Sequence, residues 1–162
     1  MARIFTQTFG VTGAIIEKEG KILLVKESEI QGSDAGKWNH PAGWIEVGES
    51  PIESVKKEVK EETGYQFTPE NVLGIYSLLR KDFLRAGEEV RHPIKVIFTG
   101  AISEKKIREL ADDISEIRWF KPKEIEEMNA HTLRDLDIKK MVRDYFKGQR
   151  YPLDIITHTV SE

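Results

Sequence analysis

"GWIEVGESPIESVKKEVKEETGY", residues Gly43 to Tyr65, decides how this chain reads. Its middle carries the signals of a helix with defined ends. Ser50 is a good N-cap, Pro51 suits the first helical position, and Glu53, three residues after the cap, completes a capping box. Gly64 stands where a left-handed residue closes a helix. The predicted helix runs from Pro51 to Thr63, with Ile52, Val55 and Val59 recurring at spacings of three and four as one apolar stripe.

The same stretch gathers six glutamates in 23 positions. Glu58, Glu61 and Glu62 fall at i, i+3 and i+4, within about 5–6 Å of one another on one face. Like charges so placed destabilise a helix by about 0.2–0.5 kcal/mol per pair, and the last turn disfavours anions. Two readings compete. A charge run is usually a solvated face, here neutralised by Lys56, Lys57 and Lys60, with Glu53 facing Lys57. Alternatively a divalent cation reverses the balance, since Mg²⁺ takes carboxylate oxygens, waters and substrate phosphates. Glu58 and Glu62 flank the apolar stripe, at the edge of the buried face, where an unpaired charge is costly. That favours a metal site.

Around the helix, "GVTGAIIEKEGKILLVKE" (Gly10 to Glu27) reads as a hairpin turning at Lys18-Glu19-Gly20. Ser28 to Trp38 is a polar loop, and "NHPAGWIEVGE" reads as short strand pieces running into a second loop. "NVLGIYSLLR" and "HPIKVIFTGAI" are strands on either side of the charged turn "KDFLRAGEEVR", and "EIRWF" is a shorter strand. Leu133, Leu136, Met141, Val142, Tyr145 and Phe146 suit an amphipathic closing helix ending at Gly148. Strands and helices mix without a regular βαβ alternation, which predicts an α+β fold with a mixed sheet between helices.

The 162 residues, 39% hydrophobic, suit one globular domain, and no linker divides them. A net charge of −3 leaves no basic field for nucleic acid or an anionic membrane. The absence of cysteine excludes disulfides, thiolate metal sites and a cysteine nucleophile. No stretch approaches the roughly 18 apolar residues of a membrane helix. The expected setting is cytoplasmic.

The stretch resembles the signature of the Nudix hydrolases: Gly, five residues, Glu, seven residues, then Arg-Glu-aliphatic-any-Glu-Glu-any-Gly-aliphatic. Gly43 leads to Glu49 and on to Lys57-Glu58-Val59-Lys60-Glu61-Glu62-Thr63-Gly64-Tyr65. Lys57 replaces the arginine, and Tyr65 fills a position more often aliphatic. "KWNHPAGWIE" and "DDISEIRWFKPKEI" are similar to further family segments, the latter an acidic segment followed by a tryptophan strand and a short helix. The tail "GQRYPLDII" is similar to the end of the NudJ-type phosphatases, a subgroup that removes phosphate from nucleoside di- and triphosphates and from a thiamine-precursor diphosphate.

The resemblance implies an α/β/α sandwich with the signature as loop-helix-loop, and hydrolysis of a diphosphate linked to some moiety X using Mg²⁺ or Mn²⁺. By position it makes Glu58, Glu61, Glu62 and the backbone carbonyl of Ala42 the metal ligands. Glu49 has a supporting part, while Gly43 and Gly64 serve backbone geometry. The general base is Glu61 or Asp113, with Glu88 and Glu89 as weaker candidates. The family's arginine holds a catalytic glutamate through a forked pair; Lys57 offers only a point charge, to Glu53 or Glu61.

Lys26, Arg80, Arg91 and Lys95 are the candidate phosphate contacts, each alone more often a surface charge. Trp38, Trp44 and Phe83 are candidates for stacking on a ring, although such aromatics usually pack. His40 and His92 lack a chemical partner, and Tyr151 and Pro152 read as docking the tail. The expected substrate is a small nucleotide or organic diphosphate. A pyrophosphohydrolase of a nucleoside diphosphate linked to another group, such as ADP-ribose, and a non-catalytic nucleotide-binding module are the alternatives. X and the oligomeric state are left open.

Overall fold

The structure is a computed structural model that describes residues 10–28, 34–79 and 92–161. Among the described residues eight strands form two sheets. In the first, β1 (Gly10–Ile15) is flanked by β5 (Ala42–Trp44), antiparallel, and β7 (Ile94–Ile102), parallel, with β6 (Phe67–Ser77) antiparallel beyond β7. In the second, β3 (Lys21–Glu27) pairs antiparallel with β8 (Ile114–Phe120). The short β2 (Glu17–Lys18) and β4 (Trp38–Asn39) share its other edge. The helices are α1 (Pro51–Thr63), α2 (Pro122–Glu127) and α3 (Asp137–Phe146).

Strand alternation sends neighbouring residues to opposite faces, and here each face meets a helix. Ile15, Ile22, Leu24, Leu73 and Ile97 share a core with Ile138, Met141 and Val142 of α3. Their strand neighbours Ala14, Ile16, Leu23, Val72 and Phe98 share the other with Val55 and Val59 of α1. Both sheets contribute to both cores, giving the expected mixed sheet between helices.

The helix α1 has the predicted ends. Ser50 Oγ accepts the Ile52 N–H at 3.3 Å, Pro51 opens the helix, and Gly64 closes it at φ 77°, its N–H bonded to the Lys60 carbonyl. The capping box does not form: Glu53 turns outward to Lys56, 2.8 Å away and exposed. Ser50 Oγ serves the Ile52 N–H in place of the Glu53 N–H that a capping box would use.

Two other expectations change. The turn at Glu19-Gly20 is real, with both residues at positive φ, 53° and 76°, as a type I′ hairpin requires. It joins β3 only to β2, because both edges of β1 are taken by β5 and β7. The closing helix begins at Asp137, four residues after Leu133. Leu133 is buried but spends its backbone on a parallel bridge to Trp38: Trp38 N–H donates to the Thr132 carbonyl and Arg134 N–H to the Trp38 carbonyl, both at 2.8 Å. Leu136 and Phe146, read as part of the amphipathic closing helix, are about half exposed. Beyond α3, Tyr151 exchanges two backbone hydrogen bonds with Val72, docking the tail on β6.

Gly64 combines its left-handed φ with a close approach, since a Cβ there would sit 2.5 Å from the Arg108 carbonyl oxygen. Gly64→Ala should therefore cost about 1–3 kcal/mol, read as a lower urea midpoint at unchanged slope; an unaltered midpoint would show the helix end tolerates a side chain.

Candidate active site

The site is assembled where α1 crosses β1 and β5. On this ribbon Gly13 lies opposite Ala42 and Thr12 opposite Gly43. Thr12 Oγ1, buried, donates to Ser54 Oγ at 3.0 Å and fixes the helix over the strand. In the last turn of the helix, Glu62 is buried and its Oε2 accepts the Ala42 N–H at 2.9 Å. The Glu58 carboxylate lies directly against Gly43, so that a methyl group there would overlap it. Gly43 serves this site by lacking a side chain, which lets a carboxylate rest on backbone.

Burial pushes the Glu58 carboxyl up to about 7; Lys57 opposes the rise, while Glu61, Glu49 and Asp113 add to it. Burial likewise holds Glu62 well above the usual carboxylate range despite the Ala42 N–H, with the charges of Glu58, Glu27 and Asp113 contributing. Both acids are thus desolvated and short of positive charge. They border a cavity of about 360 Å³ whose lining also includes Ala42, Gly43 and Asp113.

Glu58, Glu62, Ala42 and Asp113 are therefore brought together as the sequence suggested. Glu61 stands to one side, beside Lys57, Lys60 and Arg108. Its carboxylate is 3.9 Å from the Arg108 guanidinium and about two-fifths exposed, and its charge still reaches Glu58. Among the described residues no three His, Asp or Glu side chains cluster closely enough to cage an ion by themselves.

Lys57 does not pair with Glu53 or Glu61. Its ammonium is 3.0 Å from Glu49, 3.3 Å from Glu46 and 3.8 Å from Glu58, because the loop before the helix folds back over it. Burial opposes the charge on Glu49, but hydrogen bonds from the Glu46 N–H, Lys57 and Ser54 outweigh it and keep that carboxyl below its ordinary range. A cation thus stands between a supporting glutamate and a site glutamate.

The remaining candidates divide. Lys95 lines the cavity, but its buried ammonium is held by Asp135 at 2.7 Å and Asp137 at 3.0 Å. Lys26 lies on β3, opposite Trp38 and Glu116, and is not part of the cavity lining. Arg80, Arg91, Phe83, Glu88 and Glu89 lie outside the described residues. Trp38 packs edge-on against Phe120, centroids 4.8 Å apart, whereas Trp44 lines the cavity and is 41% exposed.

His40 is neutral: burial first, then the Lys95 charge, lower it to about 4, and its Nδ1 faces the Pro41 carbonyl at 3.2 Å. Glu27 and Arg134, paired at 2.6 Å, also line the cavity. Nothing local in the sequence marks them, for they stand 107 positions apart.

The NUDIX domain family model matches residues 6–145. The chain belongs to the Nudix family. Phosphatase NudJ of Escherichia coli strain K12 is 32% identical over 148 residues, covering 88% of this chain and 86% of that protein. A Nudix hydrolase from Nitrosomonas europaea superposes with a TM-score of 0.79 at 36% identity, over 92% of this chain and 95% of that one. A MutT protein from Methanosarcina mazei Go1 gives 0.69 at 26% identity, over 88% and 96%. The chain is a Nudix hydrolase, acting on phosphoric anhydride bonds.

Within this Nudix site, two substitutions separate space from charge. Gly43→Ala should leave the protein folded but displace Glu58, lowering kcat by tenfold or more; full activity would show that the carboxylate has another place to rest. Lys57→Arg should leave activity equal or higher, because a guanidinium reaches Glu49 and Glu58 with a fork. A tenfold fall in a folded variant would show the lysine has been fitted to another role.

Proposed function

We propose that this chain is a Mg²⁺- or Mn²⁺-dependent hydrolase of nucleoside di- or triphosphates or related organic diphosphates, working as one Nudix unit. The observation that carries this reading is the pair of desolvated carboxylates, Glu58 and Glu62, bordering the cavity with too little positive charge beside them. Burying such a pair is costly unless it protonates or meets a cation.

The donors fit a hard metal ion. Oxygen is the ligand type that Mg²⁺ and Mn²⁺ take, and Mg²⁺ is commonly held by only one or two carboxylates, with waters and substrate phosphates completing the shell. A cage of three converging acids is not needed. Glu58, Glu62 and the Ala42 carbonyl are the proposed ligands at the cavity, and Glu61, which stands to one side of it, would have to turn from Arg108 to join them. When bound, the metal would neutralise phosphate oxygens and lower the pKa of a coordinated water.

The chain's own residues supply the rest. The Ala42 N–H holds Glu62 in place, Gly43 gives Glu58 its seat, and Lys57 restrains Glu49 and approaches Glu58. Asp113, at the cavity and near both acids, is placed to take a proton from the attacking water; Glu61 is the other candidate base. Trp44 offers an exposed ring face beside the cavity for X. A cytoplasmic setting accords with a chain that contains no cysteine; among the described residues no helix is long and apolar enough to cross a membrane.

A phosphate-release panel of nucleotides, dinucleotides and sugar nucleotides, run with Mg²⁺ and with EDTA, tests the reading. Activity should disappear with EDTA and fall by a factor of a hundred or more in Glu61→Gln plus Glu62→Gln. Metal-independent turnover, or an unaffected double variant, would sink the mechanism. Release of a nucleoside monophosphate in place of phosphate would instead assign the chain to linked nucleoside diphosphates.

A further inference from the structure

An anionic diphosphate entering this cavity meets, among the described residues, many more acidic than basic side chains. Glu27, Asp34, Glu46, Glu58, Glu62, Asp113 and Asp135 all contribute to the lining; among the described residues the only cations there are Lys95 and Arg134. Lys95 is spoken for: its side chain is 3% exposed and it is bound by Asp135 and Asp137. Arg134 differs in geometry. Nη1 donates to Glu27 at 2.6 Å and Nε faces Asp34 at 3.2 Å, while Nη2 has no such bond among the described residues. Its side chain keeps 32% of its exposure.

Three features make this an aimed group and not a loose surface charge. The Arg134 backbone is pinned, since its N–H donates to the Trp38 carbonyl beside the Trp38–Leu133 bridge. Two carboxylates hold the guanidinium at separate nitrogens, Glu27 at Nη1 and Asp34 at Nε, and set its plane. Lys37 stands 3.5 Å from Asp34, so within this group the charges of Glu27 and Asp34 are offset by those of Lys37 and Arg134. Glu27 is also one of the charges acting on Glu62, which puts this network next to the carboxylates assigned to the metal.

We propose that Arg134, held in place by Glu27 and Asp34, is the protein's own phosphate-binding residue in this cavity, gripping diphosphate oxygens that the Glu58/Glu62 side does not engage. Nη2 is left to offer charged N–H donors to phosphate oxygens, and a pinned guanidinium loses little freedom on binding. Glu27 and Asp34 are then positioning residues. The inference rests on reading the cavity as a diphosphate site.

The test is calorimetric titration of inorganic pyrophosphate in the presence of Mg²⁺, with KM and kcat for the best substrate measured beside it. Arg134→Met should weaken pyrophosphate binding by about tenfold to a hundredfold, the worth of a charged hydrogen bond or two, and raise KM more than it lowers kcat. Glu27→Gln should do the same more weakly, with a melting temperature near wild type.

Should Arg134→Met fail to fold, Arg134→Lys, which keeps the charge and loses the fork, should still bind several-fold more weakly. Affinity and KM within twofold of wild type in folded Arg134 variants would overturn the inference, as would a wild-type protein that does not bind pyrophosphate. A wild type that binds pyrophosphate yet hydrolyses no anhydride would defeat the proposed function instead, leaving the role of Arg134 to the titration.

Discussion

The hydrogen bond from the Ala42 N–H to the buried Glu62 carboxylate, 2.9 Å long, is the constraint on which the site depends. It ties the last turn of α1 to β5, the edge strand of the first sheet, across 20 positions of sequence. With it in place Glu58, one turn earlier, must lie on Gly43, and the loop between strand and helix must fold over Lys57. The apolar side of the same helix, Val55 and Val59, is fixed independently by the core beneath. Burial therefore sets where the helix lies, and one polar bond sets which of its acids face the cavity.

That arrangement opposes stability. Acids set three and four apart in a final helical turn repel each other and the helix dipole, and burial raises the cost, as the upward shifts of Glu58 and Glu62 record. A sequence selected only for folding would place lysines or small residues there. In the proposed reading the repulsion persists because a cation resolves it during function. Lys57 relieves only the outer edge of the cluster: it reaches Glu49 and Glu46 more closely than Glu58.

Local signals made the helix and its surroundings legible in the sequence. A cap, a proline, a left-handed glycine and an apolar stripe each concern residues within a turn or two of one another, and they located α1 to the residue. The spacing of Gly43, Glu49, Glu58 and Glu62 likewise placed the acidic side of the cavity. What failed to be legible was decided by partners distant in sequence. The hairpin turn was visible, but β1 was claimed by β5 and β7. Leu133 looked helical by period and became a bridge to Trp38. Lys95 looked like a phosphate contact and is held by two aspartates 40 and 42 positions away. Glu27 and Arg134 gave no local sign at all, since only the packing of β3 against the segment before α3 brings them together.

On the proposed reading, Glu62 is a metal ligand kept at a cost to the fold. Urea unfolding of wild type and Glu62→Gln, each with EDTA and with Mg²⁺, tests it most directly, because the amide keeps the shape of the carboxyl and an acceptor for the Ala42 N–H while removing the charge. The variant should be at least as stable as wild type in EDTA, and Mg²⁺ should stabilise wild type but not the variant. A variant less stable than wild type in both buffers, with the same response to Mg²⁺, would mean that Glu62 is a structural tie and nothing more.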